Sequence, residues 1–145
     1  MGMFCYQCQE TAKNTGCTVR GVCGKTEDVA KLQDLLIYTM KGIGDIVVRG
    51  DIDAKDVDDV AGEVLNGLFM TITNANFDPD ALEAEIRRLI DMRDQLAERV
   101  GDRDVHDAAT FAVTDRASML EKASEVGVLA TEDEDIRSLR ETITY

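Results

Sequence analysis

All four cysteines of this chain, Cys5, Cys8, Cys17 and Cys23, fall within its first 23 of 145 positions. Their spacing, Cys-x2-Cys-x8-Cys-x5-Cys, puts four thiols on 19 residues that also carry Gly16, Gly21 and Gly24 and show scant apolar periodicity. A segment of this kind has no hydrophobic stripe with which to offset the entropy of ordering, so something else must hold it. The start Met1-Gly2-Met3-Phe4-Cys5 lacks the basic residues and apolar run of a secretory signal, so a cytoplasmic, reducing setting is expected, where disulfides are rare. Metal ligation becomes the leading reading, as a structural zinc site or an iron-sulfur cubane, with buried free cysteines as the third option. The symmetric second pair of a zinc ribbon is missing, and so is the usual ferredoxin run. The glycines would permit positive φ and let backbone N–H groups approach the sulfurs. Lys13, Arg20 and Lys25 lie in the same loop and would offset the charge of a thiolate-ligated cluster, raising its potential.

Composition narrows the rest. Asp plus Glu number 29 against 16 Lys plus Arg, a net charge of -13 that would repel a phosphate backbone or an anionic membrane surface. Nucleic acid and membrane are therefore not expected partners, and no run of apolar residues is long enough to span a bilayer. One proline, no tryptophan and 5% aromatics against 44% hydrophobic residues favour helices over a sandwich or barrel. The expected fold is all-α: an irregular cysteine loop over residues 1–25, then a helical bundle of three long and one or two short helices over residues 26–145.

The periodicity places those helices. Val29, Leu32, Leu36, Met40, Ile43 and Val47 draw one stripe, with Glu27 and Asp28 suited to the positive N-terminal end, giving a helix over 26–48. Gly50-Asp51 breaks it, and Val57, Val60, Ala61, Val64, Leu65, Leu68, Phe69 and Ile72 draw a second stripe over 54–73. Asp78-Pro79 is an N-cap with proline at the first helical position, and Leu82, Ile86, Leu89, Ile90, Leu96 and Val100 lead to a stop at Gly101. Residues 101–113 read as a polar connector, Thr114–Glu125 as a short fourth helix ending near Gly127, and Thr131-Glu132-Asp133-Glu134 as a capping box opening a fifth. Ile136, Leu139 and Ile143 are that helix's only apolar positions. Segment 131–145 is thus either a chain end that docks on the bundle or the start of a helix truncated from a larger protein, and its apolar face would promote self-association.

Other residues carry bland readings. Glu10, Asp28 and Asp34 are expected to be solvated charge with no catalytic role. Phe4 and Tyr6, flanking Cys5, would shield a cluster or simply pack. Asn74 and Asn76 read as turn chemistry, and Met40, Met70, Met92 and Met119 as core filler. His106, the single histidine, reads as a solvated side chain.

Phe4-Cys5-Tyr6-Gln7-Cys8-Gln9-Glu10-Thr11, Thr15-Gly16-Cys17-Thr18 and Gly21-Val22-Cys23-Gly24-Lys25 resemble the opening of the hybrid cluster proteins, also called prismane proteins or hydroxylamine reductases. Leu32-Gln33-Asp34-Leu35-Leu36, Gly67-Leu68-Phe69, Thr71 to Phe77, Gly127 to Glu132 and Arg137-Ser138-Leu139-Arg140 continue the resemblance in order along the family's N-terminal helical domain. The resemblance implies that Cys5, Cys8, Cys17 and Cys23 hold an electron-transfer [4Fe-4S] cluster. It also implies an oxidoreductase activity, reduction of hydroxylamine to ammonia or of nitric oxide to nitrous oxide, on a hybrid iron-sulfur-oxygen cluster. The His, Glu and further Cys ligands of that hybrid cluster belong to later domains and are not among these residues, so this chain alone is expected to be inactive. An electron-donor redox protein and the remaining domains of the family enzyme are the implied partners. The rival reading is a free-standing iron-sulfur carrier or redox sensor, and a zinc-stabilised interaction module is the third.

Overall fold

The computed structural model describes residues 2–72, 75–101 and 104–144. Five α-helices occupy the described residues: α1 (Glu27–Gly50), α2 (Asp58–Thr71), α3 (Pro79–Val100), α4 (Arg116–Val126) and α5 (Glu134–Thr144). Short 3-10 turns stand at Ala12–Asn14, Ala54–Asp56, Asp107–Ala109 and Val128–Ala130. The all-α class therefore holds. The cysteine loop contributes one isolated antiparallel bridge, between Cys5 and Cys17.

The central element is α1, which packs most extensively on α3 and also meets α4, α2 and the turn at Asp107–Ala109. Of its stripe, Val29, Leu32, Leu36, Met40 and Ile43 are buried and Val47 partly so, and with Leu35 and Ile46 they join Leu82, Ile86, Leu89 and Leu96 of α3 in one apolar core. Removing a fully buried leucine or isoleucine from such a core costs roughly 2–5 kcal/mol. Thr26 caps α1 by accepting from the Val29 N–H, and Asp78 caps α3 by accepting from the Asp80 N–H at 2.9 Å, one residue before Pro79. Gly101 ends α3 at φ +75, a left-handed geometry that suits a residue without Cβ.

The second stripe proves to be two. Val57, Val60 and Val64 pack against the core, whereas Leu65, Leu68, Phe69 and Ile72 are exposed, Leu65 and Phe69 by 68% and 65%. These four recur at helical spacing of their own, so α2 carries an inward apolar face and an outward one. Gly67 sits on the inward face, where an added Cβ would lie 3.0 Å from Met40 Sδ.

The expected polar connector is also partly core. Ala108, Ala109 and Phe111 are buried, and Gly42 of α1 lets this segment in: an added Cβ there would lie 2.0 Å from the Ala108 carbonyl oxygen. Arg93, 1% exposed, ties the segment to α3 through bonds to the Ala108 oxygen at 3.1 Å and the Phe111 oxygen at 2.7 Å, with its guanidinium 4.7 Å from the Phe111 ring centre. α4 starts two residues later than Thr114–Glu125 suggested, because Asp115 and Ser118 form the capping box. The fifth helix is opened by Asp133, not Thr131. Asp133 Oδ1 accepts from the N–H groups of Asp135 and Ile136 at 3.0 and 3.1 Å, while Thr131 Oγ1 accepts from the Asp133 N–H at 3.2 Å. Ile136 and Leu139 of α5 are exposed. Asn74 lies outside the described residues, and Asn76 Oδ1 accepts from the Asp78 N–H at 2.8 Å as turn chemistry requires.

Candidate metal centre

The loop is organised by three local devices. Cys5 and Cys17 sit opposite each other and exchange N–H···O bonds of 3.0 and 2.8 Å, which directs their two side chains to the same side of the bridge. Gly16, at φ +112, turns the chain into Cys17 and lies against Phe4, whose ring would be 2.5 Å from an added Cβ. The Gly21 N–H donates to the Lys25 oxygen at 2.8 Å and the Gly24 N–H to the Gly21 oxygen at 2.9 Å, closing a tight turn that carries Cys23. Gly16 and Gly24 take the expected positive φ, but Gly21 does not. Gly21 is needed for space instead: an added Cβ would lie 2.9 Å from Lys25 Cβ and 3.1 Å from Cys23 Sγ.

All four cysteines are free thiols, Cys17 buried and the others half-buried. The loop is not devoid of apolar burial, because Met3 and Cys17 form a small satellite core with Ala30 of α1. Phe4 and Tyr6 stack loosely, ring centres 5.3 Å apart, beside Cys5.

Of the three loop cations, only Lys25 reaches a sulfur. Lys13 and Arg20 are exposed, whereas Lys25 is 1% exposed and its Nζ donates to Cys5 Sγ at 3.6 Å, Gln7 Oε1 at 2.9 Å and Gln33 Oε1 at 2.6 Å. Its hydrogen-bond partners are thus one thiol and two neutral amides. Asp34, which lines one cavity with Lys25, is the acidic group whose charge interacts with this ammonium. Among the described residues no three His, Cys, Asp or Glu side chains converge as ligands of a single metal ion. A single tetrahedral ion would draw its sulfurs to about 3.8 Å from one another, given metal–sulfur bonds of about 2.3 Å. Four thiols on one loop are soft donors of the kind that an iron-sulfur cluster, with one thiolate per iron, or a zinc ion would take.

Asp34 corrects the sequence reading. It is half-buried on α1, not solvated, and its carboxyl is pushed up to about 7 by burial, against the opposing pull of Lys25 and Lys41. It shares a cavity of about 30 Å³, room for one water, with Phe4, Cys5, Tyr6, Gln7 and Lys25. Periodicity could not find it, since its shelter comes from the folded loop and from the turn at Gly127. Burial and the Arg140 charge lower the Lys41 ammonium in turn.

The sequence profile of the Prismane/CO dehydrogenase family matches residues 3–145. The chain belongs to this family. It is 61% identical over 145 residues to a hydroxylamine reductase of Acetivibrio thermocellus, covering all of this chain and 27% of that protein. A hydroxylamine reductase of Clostridium perfringens is 51% identical over 156 residues, and one of Desulfitobacterium hafniense 49% over 155, each match covering 28% of the relative. The chain therefore spans little more than a quarter of the length of these family members.

His106 lies apart from the cysteines, in the connector before Asp107–Ala109. Its Nδ1 accepts from the Ala108 N–H at 3.1 Å, its own N–H donates to Asp45 Oδ2 at 2.8 Å, and its ring meets Tyr38 edge-on. It is exposed, as expected, but caps a turn. The neighbouring cleft of about 370 Å³ includes Tyr38, Lys41, Asp107, Lys122 and Arg140. Its charges are largely matched internally: Lys122 pairs with Asp107 at 2.8 Å and Glu125 at 3.1 Å, and the Tyr38 hydroxyl donates to Asp107 at 2.8 Å. Burial and that carboxylate push the Tyr38 phenol up to about 12. Glu10 and Asp28, the latter in the first turn of α1, are both exposed, so neither joins a site. No described helix is long and apolar enough to cross a membrane.

Proposed function

We propose that this chain is the electron-entry portion of a hydroxylamine reductase of the prismane family, with residues 1–25 holding a [4Fe-4S] cluster through Cys5, Cys8, Cys17 and Cys23 and residues 26–145 forming the supporting bundle. The observation that carries this reading is the loop itself. Cys5 and Cys17 are paired across a two-strand bridge, Cys8 and Cys23 lie on the flanking turns, and a buried lysine donates to the Cys5 sulfur. When bound, such a cluster supplies one-electron storage at low potential. The chain's own residues hold it, direct an N–H donor at a sulfur and limit water through Phe4, Tyr6 and Met3. The substrate-reducing hybrid cluster would be built by the rest of the longer protein, and an electron-donor redox protein would deliver electrons to this end. The exposed apolar rows of α2 and α5 support a chain that continues or meets a neighbour, through self-association of 131–145 or docking of later domains.

Anaerobically reconstituted protein should accept one electron per chain from dithionite, pass it to an oxidised one-electron acceptor, and leave hydroxylamine unreduced. A Cys17→Ser variant should lose the electron capacity. Full electron capacity in that variant would remove the basis of the proposal.

A further inference from the structure

The polar side chains around Cys5 form a relay that runs out of the loop and into the helical bundle. Lys25 Nζ donates to Cys5 Sγ at 3.6 Å, and Gln33 Oε1 of α1 accepts from the same ammonium at 2.6 Å. Gln33 is itself buried, 2% exposed, and its Nε2 donates to the Met70 and Asn76 oxygens, both at 3.3 Å. Two carbonyls can only accept, so they fix the amide with its nitrogen toward the α2–α3 connection and its oxygen toward Lys25. The ammonium is therefore held from two sides, by Gln33 of the bundle at 2.6 Å and by Gln7 Oε1 of the cysteine loop at 2.9 Å.

Resting on the cluster reading above, we infer that Lys25, clamped by Gln33, is the positioning residue that sets the cluster's reduction potential through a fixed positive charge on the Cys5 sulfur. One-electron reduction adds a negative charge to the thiolate-ligated centre. A cation held at hydrogen-bond distance in a desolvated site stabilises that added charge far more than a cation in water does. Lys13 and Arg20 are exposed, so solvent and salt screen them. The arrangement also couples the potential to the α2–α3 connection, since losing the Met70 and Asn76 acceptors would free Gln33 and leave Lys25 held by Gln7 alone on the loop side.

The test is a mediated potentiometric titration of the reconstituted protein with dithionite as electron donor, the reduced fraction read by electron paramagnetic resonance. At one fixed ambient potential, Lys25→Met should lower the reduced-to-oxidised ratio three- to tenfold, tenfold being about 59 mV for a one-electron couple. Lys25→Arg keeps the charge and should restore the ratio. Raising the salt concentration should leave the Lys25→Met difference unchanged, because the charge is buried. Gln33→Leu keeps the lysine but removes its clamp, and should lower the ratio in the same direction by less. That variant decides the matter if Lys25→Met fails to retain cluster. Ratios within twofold of wild type in the variants that carry the cluster would overturn the assignment of Lys25 while leaving the cluster reading intact. Wild-type protein that takes up no iron and sulfide would overturn both.

Discussion

Arg93→Met isolates one buried cation whose surroundings are fully specified. The guanidinium is 1% exposed and donates to the Ala108 and Phe111 oxygens at 3.1 and 2.7 Å and to Asp94 Oδ1 at 2.8 and 2.9 Å. Methionine keeps the length of the apolar stem and removes every donor. Each carbonyl left buried without a partner costs about 1–3 kcal/mol, and the lost contact with the Phe111 ring about 1 kcal/mol more. The Asp94 carboxylate is 58% exposed, so that pair contributes at most about 1 kcal/mol. Against these losses stands relief from burying a charge, which offsets part of them. The net expectation is destabilisation of about 2–4 kcal/mol, read by urea unfolding monitored by circular dichroism. Amide exchange should rise first at Ala108 to Val113, the segment those bonds secure. Asp94→Asn should stay within about 0.5 kcal/mol of wild type. An Arg93→Met variant as stable as wild type would refute the view that this arginine holds the connector to α3.

Gly42→Ala places a methyl 2.0 Å from the Ala108 oxygen, a backbone atom, and should destabilise by more than about 2 kcal/mol in the same urea assay. Asp34→Asn tests the sheltered carboxyl. Its folded pKa of about 7 lies above the unfolded value of 3.8, so the folded state keeps a proton that the unfolded chain has released between those pH values. Wild-type stability should therefore fall relative to Asp34→Asn as pH rises from about 4 to about 7 and level off above, by no more than about 4 kcal/mol. Thermal unfolding of both proteins across that range checks this, and a pH-independent difference would contradict it. His106→Ala should leave the visible spectrum of the cluster unchanged, whereas Cys8→Ser should lower its occupancy, because a serine oxygen is a harder and less acidic ligand than a thiolate. Removing the cluster should raise amide exchange over residues 3–24 while α1 and α3 stay protected.

How far the sequence could be read depended on whether one element alone decided the outcome. α1 and α3 were legible because start signal, stripe and stop lie within the same 20-odd residues: Glu27 and Asp28 mark the start of α1, Asp78 that of α3, and Gly101 its end. α2 was misread because two apolar faces on one helix look like one broad stripe until a neighbour chooses between them. The segment around Ala108 gave no signal, since its burial rests on Gly42 and Arg93, residues far away in sequence that look like a weak helix former and a surface cation. The cysteine spacing marked the loop at once, and Lys25 was named for its charge. Its selection over Lys13 and Arg20 depends on Gln33, which sits in the second turn of α1 and only meets the loop after folding. Asp34 was missed for the same reason.

What the four thiols bind decides whether this chain is an iron-sulfur protein. Iron, acid-labile sulfide and zinc should be quantified on anaerobically purified and reconstituted protein, together with the Cys17→Ser variant. A [4Fe-4S] cluster on these cysteines predicts about four iron and four sulfide per chain, little zinc, and loss of most of the iron in the variant. One zinc per chain without sulfide, or iron content unaffected by Cys17→Ser, would contradict it.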